Sequence, residues 1–234
     1  MSVASAISSA DLARRERRVA RPKVAVDTVL FAIQERKLKT YLVRLRRGPA
    51  RGKWAFPGGL VRIGELLDDA ARRELRASTG LGDAYLEQLF TFGDPSRDPH
   101  SHVVSAAYMA LIPDAGAVTG PSSKYGERGW FEVGALPPLA YDHSLMAAYA
   151  FRRLRSKLEY SNIAYALLPR IFTFAEFEEL YSRILDRPID RRNFRRRILA
   201  MGLLRRLKQT RRGPHRPAAL YAFTRQSLQM IEML

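Results

Sequence analysis

The sequence has 234 residues, of which 47% are hydrophobic and 27% are charged, with a formal net charge of +17. This length and composition indicate a globular protein with one sizeable core and a smaller second domain. The chain contains no cysteine, which excludes disulfides, zinc-cysteine sites and thiol nucleophiles and is compatible with a reducing cytoplasm. The longest nearly apolar run, 103–112, is shorter than the roughly 18 residues needed to span a bilayer, so no membrane partner is predicted.

The positive charge is confined to the two ends of the chain. Residues 151–234 contain 19 basic and 7 acidic residues, a net charge of +12, whereas residues 24–150 are nearly neutral at +1. Residues 1–22 are small, polar and basic, and we interpret them as a flexible arm. This division is the electrostatic pattern of a polyanion-binding module joined to a neutral domain that binds a small molecule. An evenly basic, solvated surface does not predict such a division.

The first predicted elements are two strands, at 24–33 and 38–45, which a charged turn joins into a hairpin. An arginine-rich loop follows and leads to a third strand at Trp54–Phe56. Arg47 closes the second strand, on the side that faces the glycines after the third strand. We therefore expect the Arg47 guanidinium to contact the diphosphate of a bound ligand.

The stretch from Gly59 to Leu81 combines a glycine turn with an amphipathic helix. Paired glycines at Gly58 and Gly59 tolerate positive φ and let a ligand approach the backbone closely. Apolar residues then recur at helical spacing, and Asp68 and Asp69 lie in the first turn, where carboxylates suit the positive end of the helix dipole. The stretch is predicted to be a loop followed by a helix of about four turns.

The chemistry of this helix depends on three neighbouring positions. Glu74 and Ser78 lie one turn apart on the same face, and Ala77 precedes Ser78. Carboxylates at all three positions would present the hard oxygen ligands that Mg²⁺ prefers beside a pyrophosphate. With Glu74 alone, most of the charge that would hold the ion is missing. The sequence therefore predicts a binding site with no metal and no catalytic residue.

Three further strands are predicted after this helix, at 85–92, 103–112 and 130–133. A polar loop with two prolines, 93–100, separates the first two of them. Strands and helices at this spacing predict an α+β sandwich with a mixed sheet.

A longer helix at 144–159 is predicted to connect the two domains. His143 lies at its start, with Asp142 as the capping residue. The histidines do not have a metal-ligand spacing, so they add no predicted metal site. The polar face of the connector is basic and consists of Arg152, Arg153, Arg155 and Lys157.

Two shorter helices follow the connector. Thr173 and Glu176 have the spacing of a capping box, which predicts the start of the first helix. Asp190 is placed to cap the second helix, 191–201, which Gly202 ends. One face of the second helix is apolar, as a helix packed against a core requires.

Basic residues cover the opposite face of the second helix. In a major groove, such a helix lets arginine reach guanine edges and asparagine reach adenine. The predicted DNA contacts on it are Arg191, Arg192, Asn193, Arg195 and Arg196. Two strands, at 203–209 and 218–223, then flank a basic tip that adds Arg211, Arg212, His215 and Arg216. This order predicts a winged helix-turn-helix on double-stranded DNA, with an arginine-rich solvated helix pair as the alternative.

These motifs resemble a known family. Gly59, Glu65, Arg73-Glu74-Leu75 and Gly80-Leu81 have the signature spacing of the Nudix hydrolases, which cleave nucleoside diphosphates linked to another group. The chain departs from that signature at Ala77 and Ser78, where the family has a pair of glutamates. With the winged helix, the chain resembles the Nudix-related transcriptional regulators of NAD metabolism, the NrtR family, over nearly all of 24–225. The local matches are 54–59, 92–99, 136–139 and 190–196.

The resemblance implies an α+β protein with two domains. An N-terminal Nudix-like α/β/α sandwich with a mixed sheet occupies 23–150, and a winged helix-turn-helix that includes the connector occupies 151–234. The family implies a cytoplasmic homodimer that represses NAD biosynthesis or salvage genes at a palindromic operator, with ADP-ribose or a related nucleotide as effector. The expected effector-binding residues are Arg47, Trp54, Phe56, Gly58, Gly59, Glu65, Arg73, Glu74, Phe92 and Arg97.

Two alternatives remain open from the sequence. One is an active Nudix pyrophosphatase on ADP-ribose-like substrates, whose missing metal ligands would come from Asp83, Glu87, Asp94, Asp98, Glu127 or Glu132. The other is a nucleic-acid module without a regulatory role, such as an RNA-binding accessory protein.

Overall fold

A seven-stranded mixed sheet forms the centre of the N-terminal domain in the computed structural model, which describes residues 21–120, 124–212 and 217–231. Strand β1 (Lys23–Gln34) pairs in parallel with β6 (Val103–Leu111) and antiparallel with β2 (Lys37–Leu45) and β4 (Gly58–Leu60), as the predicted mixed sheet requires. The predicted arm at 1–22 lies outside the described residues except for Arg21 and Pro22. The strands are β1 (Lys23–Gln34), β2 (Lys37–Leu45), β3 (Trp54–Ala55), β4 (Gly58–Leu60), β5 (Tyr85–Phe92), β6 (Val103–Leu111) and β7 (Tyr125–Glu132).

One helix covers each face of this sheet, because alternate residues of a strand point to opposite sides. Val26 packs with the small residues of α1 (Leu67–Thr79) on one face. Val29 and Phe31 join the larger core with the apolar side chains of α2 (His143–Tyr160) on the other. The predicted α/β/α sandwich is therefore confirmed.

Helix α1 has the local features that its sequence predicts. Asp68 and Asp69 lie in its first turn, and Gly80 ends it in the left-handed conformation with φ of 76°. A Cβ at position 80 would lie 2.9 Å from the backbone of Gly120, so glycine is required there for packing as well as for conformation.

The C-terminal domain is a small helical bundle with a three-stranded sheet in the order β8, β10, β9. The predicted capping box is confirmed: Thr173 Oγ1 accepts from the Glu176 N–H at 3.2 Å, and Glu176 Oε2 accepts from the Thr173 N–H at 2.6 Å. Asp190 Oδ1 caps the second helix by accepting from two backbone N–H groups. The elements are β8 (Phe172–Thr173), α3 (Phe174–Leu185), α4 (Arg191–Ala200), β9 (Leu204–Arg211) and β10 (Ala218–Phe223).

Aromatic packing fixes α4 on α3. Phe194, one of two buried residues of α4, stacks on Phe177 with ring centroids 5.6 Å apart and contacts Tyr181 at 5.0 Å. Buried aromatic pairs add about 0.5–1.5 kcal/mol each beyond their area burial. The basic helix therefore has a fixed orientation and presents its remaining residues outward.

The two domains share one continuous core. Met146 and Ala150 of α2 pack against the sheet, and Leu158 of the same helix belongs to the hydrophobic cluster that contains Phe172 and Phe177 of the winged helix. Helix α2 thus runs unbroken through the predicted boundary at 150/151. Within the described part of the chain, no helix is long and apolar enough to cross a membrane.

We expect Gly58→Ala to destabilise the protein by about 2 kcal/mol, because overpacking typically costs 1–3 kcal/mol. A Cβ at position 58 would overlap the Val26 carbonyl oxygen and the Asp27 carboxylate. Gly82→Ala is the matched control, since its Cβ would meet nothing within 4 Å. Urea denaturation measures both variants, and equal midpoints would contradict the close approach of β4 to β1.

Candidate effector pocket and nucleic-acid interface

Arg73 holds the loop between β4 and α1 in place. Its Nε donates to Glu65 Oε1 at 2.5 Å, and its Nη2 donates to Glu65 Oε2 at 2.8 Å and to the Leu60 carbonyl at 3.1 Å. Its Nη1 contacts Glu74. The Arg73 hydrogen bonds, with one from the Arg62 N–H, lower the pKa of Glu65 to about 2. The structure therefore brings Glu65, Arg73 and Glu74 together as a loop-shaping ion-pair network.

Lys124 is a further member of this site, and the sequence analysis missed it. Its Nζ lies 2.5 Å from Glu74 Oε2 and 2.5 Å from the Gly58 carbonyl oxygen. The ammonium also lies 5.3 Å from the centre of the Tyr125 ring. Nothing in the local sequence identifies Lys124, because the fold brings it to Glu74 across 50 positions.

The Nudix resemblance implies a divalent metal ion, but the residues present do not fit one. Glu74 is the single carboxylate on the relevant face of α1, and its two oxygens contact Arg73 and Lys124. Ser78 is fully buried and donates to the carbonyls of Glu74 and Leu75 at 2.9 and 3.0 Å. Hard cations need several oxygen ligands, and this set offers one committed carboxylate.

Three of the other carboxylates considered as ligands, Glu87, Glu127 and Glu132, form ion pairs with other residues. Glu87 pairs with Lys157 and Arg153 of α2 at 2.7 and 3.0 Å, on the other side of the sheet. Of the rest, Glu127 pairs with Arg44 and Glu132 with Lys37. Lys157 is thus buried against Glu87, so the basic face predicted for the connector is partly neutralised inside the protein.

An arginine-lined cleft of about 530 Å³ lies at the end of β2 and the loop that follows it. Arg44, Arg46, Arg47 and Arg51 contribute to its lining, and Arg47 is exposed. Leu45 in the lining pairs with Tyr125, the residue after Lys124, and Glu127 adds one carboxylate to the cleft. Its size falls within the range of ligand pockets, and its charge suits a diphosphate.

A second buried polar cluster lies on the opposite face of the sheet, and it changes two predictions. Arg97 makes a two-pronged ion pair with Asp142 at 2.7 and 2.9 Å, and its side chain is only 4% exposed. Arg97 is therefore not presented to a diphosphate. Asp142 makes no side-chain capping bond to α2, because its carboxylate is held by Arg97. The same cluster contains Asp27, which accepts from Ser105 at 2.6 Å.

Phe56 also differs from its predicted role. Its ring is 1% exposed and stacks on the His143 imidazole at 5.5 Å, so it does not face a ligand. The Phe56 N–H donates to His143 Nδ1 at 2.9 Å. Burial lowers the pKa of His143, which keeps the imidazole neutral with its proton on Nε2, towards Asp27.

The expected effector residues consequently do not form one pocket. The Cβ direction of Gly58 points at Asp27, whereas that of Gly59 points at Glu74. Phe92 lies on the α2 face, beside Arg97 in a cavity of about 430 Å³. Trp54 packs edge-on against Phe131 at 4.8 Å, with Arg44 over its ring at 5.9 Å.

Helix α4 presents most of the predicted DNA contacts on its surface. Arg191, Arg192 and Arg196 are exposed, and Asn193 is held between Asp190 and Arg196 by side-chain hydrogen bonds. Arg195 differs, because its Nη2 donates to the Tyr221 hydroxyl at 2.9 Å and its guanidinium lies 4.6 Å from the centre of the Phe174 ring. It supports the position of α4 as well as being exposed.

The wing carries more exposed cations than predicted. Arg205, Arg206 and Lys208 on β9 are exposed and were missed, although their run in the sequence is as basic as the tip. Arg211 pairs with Glu176 at 2.6 Å, and Arg212 is exposed. The predicted contacts His215 and Arg216 lie outside the described residues.

Both parts of the chain are similar to known protein domains. A NUDIX domain model matches residues 21–152, and a model described as the NrtR DNA-binding winged helix domain matches 164–223. The ADPR responsive transcriptional repressor NtrR of Acinetobacter baylyi is 32% identical over 208 residues, which are 88% of this chain and 83% of the relative. The chain belongs to the NrtR family.

Solved NrtR structures support the same conclusion. Shewanella oneidensis NrtR complexed with a 27mer DNA is similar with a TM-score of 0.78 and 32% identity, over 86% of this chain and 93% of that one. The NUDIX domain of Shewanella oneidensis NrtR complexed with ADP ribose has a TM-score of 0.56 and 29% identity, over 63% of this chain and 99% of that one. The predicted family and architecture are confirmed.

Stability should fall below pH 6.5 because of His143. The pKa of this buried residue is lower in the folded state than in the unfolded chain. Below about pH 6.5 the unfolded chain therefore binds a proton at this histidine that the folded protein does not bind. The free energy of unfolding falls by about 1.4 kcal/mol for each pH unit below that value. His143→Gln keeps an acceptor for the Phe56 N–H without titrating. Urea denaturation from pH 8 to 5 should show a steeper loss for the unmodified protein, and parallel curves would contradict a neutral buried His143.

Proposed function

We propose that this chain is a DNA-binding repressor of NAD biosynthesis or salvage genes, and that its Nudix domain binds ADP-ribose without hydrolysing it. This proposal rests mainly on the arrangement of the two sites. The basic helix α4 is fixed by packing and is joined through one continuous core to a pocket in which Lys124 pairs with Glu74. The Acinetobacter relative is named as ADPR responsive, and the Shewanella NrtR structures contain DNA in one case and ADP ribose in another.

DNA recognition rests on α4 and the wing. The N-terminal half of α4 enters a major groove, where Arg192 and Arg196 contact base edges and phosphates. Exposed cations on β9 contact the neighbouring backbone, and backbone contacts provide much of the affinity. Two chains act as a homodimer on a palindromic operator, with half-sites about 34 Å apart.

Helix α2 transmits the structural effect of effector binding to the DNA-binding helix α4. Its 18 residues span about 27 Å. The Arg97–Asp142 ion pair ties its first turn to the loop after β5, and Arg155 ties its middle to the end of α3 through a 2.5 Å hydrogen bond to the Leu185 carbonyl. A ligand that displaces β4 at Gly59 shifts β1, whose Asp27 contacts Arg97 and His143, and so rotates α2 and changes the spacing of the two α4 helices. Such coupling is typically about 1–3 kcal/mol.

The effector response is tested by gel shift on an operator identified by protection mapping of genomic DNA. We expect saturating ADP-ribose to weaken DNA binding by about 5- to 150-fold, the range of typical coupling energies. Calorimetry on the same sample confirms that the ligand is bound. Unchanged DNA affinity at confirmed saturation would refute the sensor.

Alanine at either of two α4 arginines should weaken operator binding. Arg192→Ala or Arg196→Ala is expected to cost about 1–3 kcal/mol if the side chain reads a base. Arg72→Ala removes an exposed arginine from α1 and is the charge-matched control. Fluorescence anisotropy gives the affinities, and an effect no larger than that of Arg72→Ala at both positions would exclude α4 as the recognition helix.

The absence of hydrolysis is tested separately. Incubation of ADP-ribose with Mg²⁺ and the protein should give no AMP above the buffer blank, because both oxygens of Glu74, the carboxylate of α1 at the site, are paired with Arg73 and Lys124. A working pyrophosphatase would instead give metal-dependent turnover that Glu74→Gln abolishes.

A further inference from the structure

The ammonium of Lys124 is bound much as a metal ion would be. It contacts one carboxylate oxygen, Glu74 Oε2, and one backbone carbonyl oxygen, that of Gly58, both at 2.5 Å. Carboxylate and carbonyl oxygens are the ligands that hard divalent cations take in proteins. The Lys124 ammonium therefore occupies the space between the Glu74 and Gly58 oxygens in which a cation would otherwise bind.

This ammonium remains charged and has an N–H donor that its contacts with Glu74 and Gly58 do not use. Burial lowers the pKa of Lys124, but Tyr125 and Glu74 offset this, and the net effect is a pKa above its ordinary value. An ammonium has three N–H donors, and the two contacts to Glu74 and Gly58 use two of them. The Lys124 side chain is 44% exposed, so a ligand can reach the ammonium and compete with the neighbouring Tyr125 hydroxyl for its third donor.

The surrounding backbone is shaped to admit this contact. A Cβ at position 59 would lie 2.5 Å from Glu74 Oε1 and 2.7 Å from Lys124 Nζ, so the absence of a side chain at Gly59 makes room for both groups. Gly59 belongs to the glycine turn that the sequence singled out for close ligand approach. The arginine-lined cleft at the end of β2 is connected to Lys124 through the pairing of Leu45 with Tyr125.

We propose that Lys124 replaces the divalent metal ion of the Nudix site and donates directly to a phosphate oxygen of the effector diphosphate, so that effector binding does not depend on Mg²⁺. This inference rests on the proposed binding of ADP-ribose. A tethered ammonium neutralises a diphosphate as a metal ion does, but it does not coordinate a water and lower its pKa for attack. Lys124 thus explains how the pocket holds a diphosphate and leaves it intact.

Calorimetric titration with ADP-ribose tests the inference in two buffers, one with EDTA and one with Mg²⁺. The unmodified protein should bind with affinities that differ by less than about twofold between them. Lys124→Met should weaken binding in EDTA by about tenfold or more, since a hydrogen bond to a charged group contributes about 1.5–3 kcal/mol. Mg²⁺ should restore much of that loss in the variant, because the substitution frees the oxygens of Glu74 and Gly58 and the bound diphosphate supplies the further oxygen ligands that the ion needs.

Lys37→Met is the matched control, because it removes an exposed lysine that pairs with Glu132 at 2.5 Å at the other end of β1. It should bind as the unmodified protein does. Thermal unfolding checks that each variant is folded, and Lys124→Gln, which keeps a donor for the Gly58 carbonyl, replaces Lys124→Met if the latter is unstable.

Three outcomes would overturn the inference alone: binding by the unmodified protein that requires Mg²⁺, unchanged affinity of the Lys124 variant in EDTA, or a loss that Mg²⁺ does not restore. The last outcome would mean that Lys124 only neutralises Glu74. If the unmodified protein binds ADP-ribose in neither buffer, the proposed effector is wrong, and Lys124 has no diphosphate to contact.

Discussion

The close approach of β4 to β1 at Gly58 and Gly59 is the constraint on which both polar clusters of the Nudix domain depend. Strand residues alternate between faces. The space beside Gly58 is therefore filled by Asp27 on the α2 face, and the space beside Gly59 is filled by Glu74 and Lys124 on the α1 face. Two glycines in succession thus allow a buried carboxylate on one side of the strand and an ion pair on the other.

The two clusters have different roles: one forms the effector site, and the other holds α2 against the sheet. The α1 face holds the loop, Glu74 and the ammonium of Lys124. The α2 face holds Asp27, Arg97, Asp142 and His143, which join β1 and the loop after β5 to the first turn of α2. Because α2 continues into the core of the winged helix, a pocket on the sheet and the orientation of α4 depend on one helix. This mechanical connection distinguishes the arrangement from two domains on a flexible linker.

Charge alone does not identify a surface that binds a polyanion. The C-terminal third carries +12, yet Lys157 is buried against Glu87, Arg195 packs on Phe174, and Arg211 pairs with Glu176. The exposed arginines of α4 and the cations of β9 lie on the helix and wing of a winged helix fold. The distribution of charge along the sequence indicated the class of partner, but the packing determined which cations are available.

The family, the order of the elements, the capping of α3 by Thr173 and Glu176, and the departure from the Nudix signature at Ala77 and Ser78 could all be predicted from the sequence, because these features are local in the chain. The burial of Phe56 and Arg97 and the contact of Lys124 with Glu74 depend on the folded structure. Those contacts join residues from different strands and loops, over separations of 45 to 87 positions, and no periodicity or spacing records them. The turn at Gly58 and Gly59 could be located from the sequence, whereas the position of Lys124 beside it depends on the fold.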